Sequence, residues 1–322
     1  MKEQSNKTIS VVVVTAGIND YIKPCLDSIR EQTNPPLEII VIDNSLNENF
    51  AQRVISSHPD IKLYSSPTNL FYSASLNQGI ALSKGDFILC LNDDVVLERR
   101  FIEEILKGVS FDPRVGVASG KILRSDRKTI DSTGLFLSIF RTAKERGYGV
   151  KDKGQFEKAG FIFGVNGAVA FYRRVMLDEL KINSEYFDCD YHFFYEDLDI
   201  AWRANFLGWK AYYIPQAIAY HTRGGSLRAE GGLNKPYARR YLTKELHADL
   251  IKNRYLAIIK NESGFNFLVH LPFIALYDLM VWAYVLFFRP QAIKPFLSNL
   301  KYADPAFRKR KIVAQMKLSR NK

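Results

Sequence analysis

Carboxylates crowd two short stretches of this chain. Phe193-Phe194-Tyr195-Glu196-Asp197-Leu198-Asp199 sets three acids within four positions behind an aromatic run, and Asn92-Asp93-Asp94 follows the apolar run Phe87 to Leu91. A carboxylate within reach of a substrate hydroxyl can take its proton as a new bond forms. Hard oxygen ligands at a strand end can hold Mg²⁺ or Mn²⁺ against phosphate oxygens. Each stretch also has a plainer reading. Acids in a first helical turn complement the helix dipole, and Asp199 stands at ion-pair spacing from Arg203. Asn92-Asp93-Asp94 can cap the helix that follows it. His221, with Gly224-Gly225 behind it, reads by itself as a loop residue.

The elements that must position these groups follow from periodicity. Ile9 to Val14 is a continuous β-branched run, as expected of a strand buried on both faces of a parallel sheet. Asn19-Asp20 is placed to cap a helix carrying Ile22, Leu26 and Ile29, closed by Pro35-Pro36. Strands are expected over 37–42, 61–64 and 87–91, with helices around 48–56 and after Asn69 up to Gly85. Leu198, Ala201, Trp202 and Phe206 recur at helical spacing, so Glu196 and Asp197 should open a helix of about three turns that stops at Gly208. Strand–helix alternation of this kind specifies an α/β fold with a Rossmann-like, largely parallel sheet. Ligands of such sheets bind at the carboxyl ends of the strands, where Thr15, Asp43 and Asn92-Asp93-Asp94 fall.

Composition narrows the function classes. The 322 residues are 47% hydrophobic and 25% charged, which is globular, and Cys25, Cys90 and Cys189 are too scattered for a disulfide scaffold or zinc site. Met1 to Thr8 is polar and lacks a signal-peptide core, so the catalytic part is expected in the cytoplasm. No Gly-x-Gly-x-x-Gly follows the first strand and no P-loop occurs, which argues against a dinucleotide cofactor. The net charge of +11 is concentrated at the end: from Lys301 to Lys322 the basic residues face a single acid, Asp304. Such a tail suits nucleic acid or an anionic membrane. The segment before it favours the membrane, because Phe265 to Phe288 carries one formal charge, Asp278, and no nucleic-acid recognition module is evident.

Taken in order, Val11-Val12-Val13-Val14-Thr15, Ile39 to Ser45, Asn69 with Asn77-Gln78-Gly79, and Leu91-Asn92-Asp93-Asp94 resemble a family 2 glycosyltransferase of GT-A fold. Phe187-Asp188, the run Phe193 to Asp199 with Arg203, and His221-Thr222-Arg223-Gly224-Gly225-Ser226 extend the likeness over roughly residues 9–230. Within that family the chain looks most like bacterial rhamnosyltransferases of surface-polysaccharide (O-antigen) assembly. The resemblance implies that Thr15 and Asp43 bound the nucleobase and ribose, with Asn69, Asn92 and Asp93 on the donor side. It implies that Asp94 and His221 ligate Mg²⁺ or Mn²⁺, that Asp197 is the general base, and that Glu196 positions the acceptor. Asn166-Gly167 matches a small-residue loop beside the acceptor, and Trp202 with Phe193, Phe194 and Tyr195 is available to stack on sugars. One base with no nucleophile partner implies inversion at the anomeric carbon. The implied donor is dTDP-rhamnose, with a UDP-sugar as the other possibility, and the acceptor is a saccharide, in such pathways commonly linked to polyprenyl diphosphate. Two departures stand out: Asn69-Leu70-Phe71 lacks the glycine that commonly follows that asparagine, and residues 120–160 match no motif and are free to form a mobile loop over the site.

These readings divide the chain into a catalytic domain, 1–230, and a helical C-terminal region, 231–322. The segment 265–288 is long enough to cross a bilayer, which needs about 20 apolar residues. Pro272, His270 and Asp278 disfavour a simple span, while Asn266, His270 and Asp278 share one helical face and leave a broad apolar one. The expectation is a peripheral or monotopic helix at the cytoplasmic face of the inner membrane, with Arg289, Lys294 and the tail on headgroups. A buried helix packed on the catalytic domain is the competing reading. A nucleotidyltransferase of similar fold would need a glycine-rich basic loop after the first strand, which Thr15-Ala16-Gly17 does not supply. A non-catalytic membrane partner would not need Asp94, Asp197 and His221 together.

Overall fold

The computed structural model describes residues 7–17, 20–223 and 242–320, without the side chains of 319 and 320. Asn19, the Gly224-Gly225-Ser226 element and the 230/231 boundary lie outside the described residues.

The first half alternates as its apolar runs require. Strand β1 (Ile9–Thr15) leads to α1 (Ile22–Arg30), β2 (Glu38–Asp43), α2 (Glu48–Ser57), β3 (Lys62–Ser65), α3 (Phe71–Leu82), β4 (Phe87–Asn92), β5 (Val95–Leu97) and α4 (Phe101–Val109). All seven residues of β1 are buried. Its side chains alternate between two cores: Val11 and Val13 pack with α1 and α4, Val12 and Val14 with α3 and the far side of the sheet. Helix α1 starts at Ile22 with no side-chain cap and ends at Arg30, short of Pro35-Pro36, so neither expected punctuation mark sets its limits.

Beyond α4 come β6 (Val115–Arg124), β7 (Ile130–Ser132), β8 (Leu135–Leu137), β9 (Ala143–Glu145), β10 (Gly160–Ile162), β11 (Val169–Arg173), α5 (Arg174–Glu179), α6 (Glu196–Phe206) and β12 (Lys210–His221). The main sheet runs β10-β12-β6-β11-β4-β1-β2-β3, with β5 and β7 paired at its side. It is parallel through β4-β1-β2-β3, while β11 enters antiparallel between β4 and β6. The stretch 120–160, without a motif in the sequence, thus contributes the end of β6, β7 and the β8–β9 hairpin.

The C-terminal helices α7 (Lys244–Asn261), α8 (Gly264–Phe288), α9 (Ile293–Ser298) and α10 (Ala303–Arg320) follow. Helix α7 is buried along most of its length. Lys260 is fully buried between Asp188 and Asp199, 2.9 Å from the latter, and Lys309 of α10 joins it on Asp188. Arg310 donates to the Ile259 carbonyl and Lys317 lies over the Phe206 ring. Part of the basic tail is therefore tied to the protein itself. Helix α8 is different. His270 and Asp278 turn inward, with His270 Nδ1 2.9 Å from Arg141 Nη2 and Asp278 paired to Arg254, while Asn266 is exposed and Phe265, Leu268, Leu279, Phe287 and Phe288 are each at least two-thirds exposed. It is the one described helix long and apolar enough to cross a membrane, and little of it is buried.

Candidate active site

The carboxyl ends of β1 and β4 open into a cavity of about 1280 Å³ that reaches past α6 to α7 and α8. Thr15, Asn69, Asn92, Asp93 and Asp94 line one end. Thr15 Oγ1 donates to Asp93 Oδ2 at 2.5 Å. Burial pushes the Asp93 carboxyl up to about 6, against the Thr15 hydrogen bond and with the help of neighbouring Asp94. Asn69 Oδ1 accepts from the Phe71 amide at 2.8 Å, and Phe71 takes φ +60°. The loop thus adopts the left-handed backbone a glycine favours without having one. Asn77 is structural: its amide bonds the backbone of Tyr186 and Phe187. Asp43 does not line the cavity. It is 1% exposed, and its oxygens accept from the Ser45 amide at 2.8 Å and the Ser65 hydroxyl at 2.9 Å.

His221 reaches Asp94 through strand pairing. β5 and β12 run antiparallel with His221 opposite Val95, which sets His221 Nε2 3.2 Å from Asp94 Oδ1. Behind the ring, Asp131 of β7 holds Nδ1 at 2.8 Å. Burial alone would lower the imidazole, but Asp131 and Asp94 together raise it to about 9. Arg223 pairs with Asp131 and covers the Tyr148 ring, 4.8 Å from its centre. A carboxylate and an imidazole converge here while a second carboxylate orients the ring, an arrangement that could serve a divalent cation. Asn92 lines the same cavity, and its Oδ1 is a buried acceptor without a hydrogen-bond partner. Once the imidazole has given up its proton, Asp94 and His221 could together hold Mg²⁺ or Mn²⁺.

Glu196 and Asp197 open α6 at the middle of the cavity. The two residues before them, Phe194 and Tyr195, are left-handed at φ +69° and +72°, a geometry that costs about 1 kcal/mol or more each. Asp197 accepts from the amides of Leu198 at 2.7 Å and Gly167 at 3.2 Å. Glu196 Oε2 is buried with no partner. Burial raises both carboxyls, and the charge on Asp197 adds to the rise at Glu196, which reaches about 8. Asp197, with two amide donors, is the more easily ionised of the two, and Glu196 is the one held towards its protonated form. The Gly164 to Ala168 loop lies against them: a Cβ at Gly164 would stand 2.5 Å from that of Ala201 on α6. Gly167 O accepts from Tyr72 Oη at 2.8 Å, and Asn166 Nδ2 donates to Glu145 at 2.7 Å.

The structure therefore gathers Thr15, Asn69, Asn92, Asp93, Asp94, Asn166, Gly167, Glu196, Asp197 and His221 around one cavity. Trp202 is not among them. It is 8% exposed and packs edge-on to Phe163 in the core under α6, because its position on that helix faces inward. Glu145, Asp131 and Tyr72 were not foreseen. Glu145 sits on β9 with burial raising its carboxyl to about 7, and only three-dimensional pairing marks it.

The raised Glu196 carboxyl gives a stability prediction. Between the ordinary glutamate range and about 8, the folded chain holds a proton that the unfolded chain releases, so wild-type stability falls as pH rises through that window. Glu196→Gln should gain on the wild type progressively over the same window. Thermal midpoints of both chains from pH 4.5 to 8.5 check this, and parallel curves would refute it.

Comparison with known proteins agrees with this layout. The profile of Glycosyl transferase family 2 matches residues 10–181. The chain is 23% identical to the N-acetylglucosaminyl-diphospho-decaprenol L-rhamnosyltransferase of Mycobacterium tuberculosis, over 68% of this chain and 77% of that one. It is 20% identical to the poly-β-1,6-N-acetyl-D-glucosamine synthase of Staphylococcus epidermidis, over 99% and 80%. Among solved structures it is similar to S. aureus TarS 1–349 in complex with UDP, with a TM-score of 0.57, 14% identity, and coverage of 97% of this chain and 90% of that one. It is also similar to the mannosyltransferase PcManGT of Pyrobaculum calidifontis in complex with GDP-Man and Mn²⁺, with a TM-score of 0.52, 18% identity, and coverage of 96% and 80%. These structural likenesses carry the GT-A fold.

Proposed function

The chain belongs to glycosyl transferase family 2, and on that premise we propose that it moves a sugar from a nucleoside diphosphate to a saccharide acceptor with inversion. One observation carries the reading: Asp197, anchored by the Gly167 amide, lines the same cavity as Asp94 and His221. Asp197 takes the proton of the acceptor hydroxyl as its oxygen bonds the anomeric carbon, and the carbon–diphosphate bond breaks on the opposite face. Glu196, protonated, offers a hydrogen bond to the acceptor. Asn166 and Gly167 set the wall it rests on, and Thr15, Asn69, Asn92 and Asp93 hold the donor side. Mg²⁺ or Mn²⁺, held by Asp94 and His221, would neutralise charge on the departing diphosphate.

We take the donor as dTDP-rhamnose, in line with the rhamnosyltransferase relative; a UDP-sugar is the alternative, in line with the polymer synthase. That same rhamnosyltransferase is named for a diphospho-decaprenol acceptor, and the α7–α8 side of the cavity here is lined by Leu242, Leu246, Leu250 and Tyr277, with Glu245 among them. An acceptor linked to a polyprenyl diphosphate, within surface-polysaccharide synthesis, suits that mostly apolar side. Binding of dTDP, UDP and GDP by calorimetry, each with and without Mn²⁺, tests the reading. Binding of dTDP that depends on the metal and disappears in Asp94→Ala is expected. Preference for UDP would move the donor, and no binding of any nucleotide would overturn the proposal.

We further propose that α8 lies on the cytoplasmic face of the plasma membrane, peripheral or monotopic, with the exposed Lys294 towards the headgroups; Arg289, expected there as well, instead donates to the Leu242 carbonyl. Its outward side chains, more than its ends, support this. Removing the chain after residue 260 would also remove Lys309 from Asp188, so substitutions on the exposed face are the cleaner test. Leu279→Glu and Phe287→Glu should each weaken sedimentation with anionic vesicles about tenfold, the order expected for an apolar side chain leaving the bilayer. Unchanged sedimentation would sink the docking helix.

A further inference from the structure

The helix N-terminus that carries Asp197 is entered through two left-handed residues, neither of them glycine. Backbone of that kind persists only where the surroundings over-determine it. The determinant sits on α7, beyond the residues that match the family profile. Asn253, fully buried, donates from Nδ2 to the carbonyls of Phe193 at 2.6 Å and Phe194 at 2.9 Å. Its Oδ1 is buried without a partner. The amide cannot be turned over, because Oδ1 would then face two carbonyl oxygens at those distances.

We propose that Asn253 is a positioning residue for the transfer reaction: by clamping the Phe193 and Phe194 carbonyls it fixes the left-handed turn that aims Asp197 into the cavity. The inference rests on Asp197 being the base. The neighbours of Asn253 on α7 serve the same segment. Lys252 Nζ donates to the Asp190 carbonyl at 2.9 Å, and Asn261 Nδ2 to Asp199 Oδ1 at 2.8 Å. Those contacts hold the loop before the turn and the helix after it. Asn253 bonds the backbone of the turn itself.

The test is a cycle of Asn253→Ala and Phe194→Gly in the full chain, read by steady-state kinetics and by hydrogen exchange of the amides from 194 to 199. Asn253→Ala should lower kcat about a hundredfold, the order seen when a reacting group is misplaced by about 1 Å. KM for the donor and calorimetric nucleotide binding should stay within about twofold, and exchange should quicken at 194–199. In the Phe194→Gly chain left-handed geometry costs little, so the further loss on Asn253→Ala should shrink to about tenfold or less. If Asn253→Ala does not fold, Asn253→Ser, which keeps one donor, should give an intermediate kcat and intermediate exchange. An unchanged kcat, or equal losses in both backgrounds with unaltered exchange, would overturn the assignment. A wild-type chain that transfers no sugar, or an active Asp197→Asn chain, would instead sink the reading of Asp197, and exchange at 194–199 would still decide whether Asn253 holds the turn.

Discussion

Asp197→Asn should lower sugar transfer by about 10² to 10⁴, the range a positioned general base contributes. The amide keeps the shape of the side chain and an oxygen for one of its two amide donors, giving up the other, and it touches nothing on the donor side, so nucleotide binding should stay near the wild-type level. The pH profile sharpens the test. Burial raises the Asp197 carboxyl, and the base must be ionised, so the acid limb of kcat should lie above the ordinary aspartate range and fall as pH falls. That limb should be missing from the residual activity of the variant. A large loss of nucleotide binding in Asp197→Asn would reassign the residue to the donor.

Lys260→Met should destabilise the chain by about 3–5 kcal/mol, because it leaves Asp188 and Asp199 as buried charges short of a partner. Burial alone would raise the Asp188 carboxyl, yet Lys260 and Lys309 hold it well below the usual range. The ammonium also lies 4.7 Å from the centre of the Tyr191 ring. Against a typical stability of about 5–15 kcal/mol, such a loss is a large fraction. Urea unfolding at pH 7 measures it, and the deficit should narrow in acid as Asp188, deprived of Lys260, gains a proton. A change below about 1 kcal/mol would mean that Lys309 and Arg203 suffice.

The first four strands were legible, three of them because their runs are buried on both faces, while β3 is partly exposed and β5 to β12 went unread. β1 to β4 lie within a residue or so of where Ile9 to Val14, Leu37 to Ile42, Ile61 to Tyr64 and Phe87 to Leu91 put them. The convergence of Asp94, His221 and Asp197 on one cavity also agrees with the order of the motifs. What the chain concealed were partners supplied by pairing across long separations. Asp131 reaches His221 only because β7 and β12 both flank β6. Glu145 and Asn253 meet their targets through a short hairpin and a distant helix, neither of which leaves a local pattern. Trp202 misled because an aromatic side chain on a helix beside a site can point to the sugar or to the core, and periodicity alone does not say which. The basic tail misled in part for a similar reason: Lys309 and Arg310 find acceptors inside the protein.

The bonds from α7 and α10 to the segment around α6 bear on how such enzymes can be recombined. A chimera joined between residues 224 and 241 would take Asp188, the Phe194–Tyr195 turn and Asp199 from one parent. Lys260, Asn253, Asn261 and Lys309 would come from the other. Acceptor preference could then be exchanged between relatives only by moving the two sides together. Inheritance should have kept them as one block, so that lineages which vary at Asn253 or Lys260 also vary at the positions those residues hold.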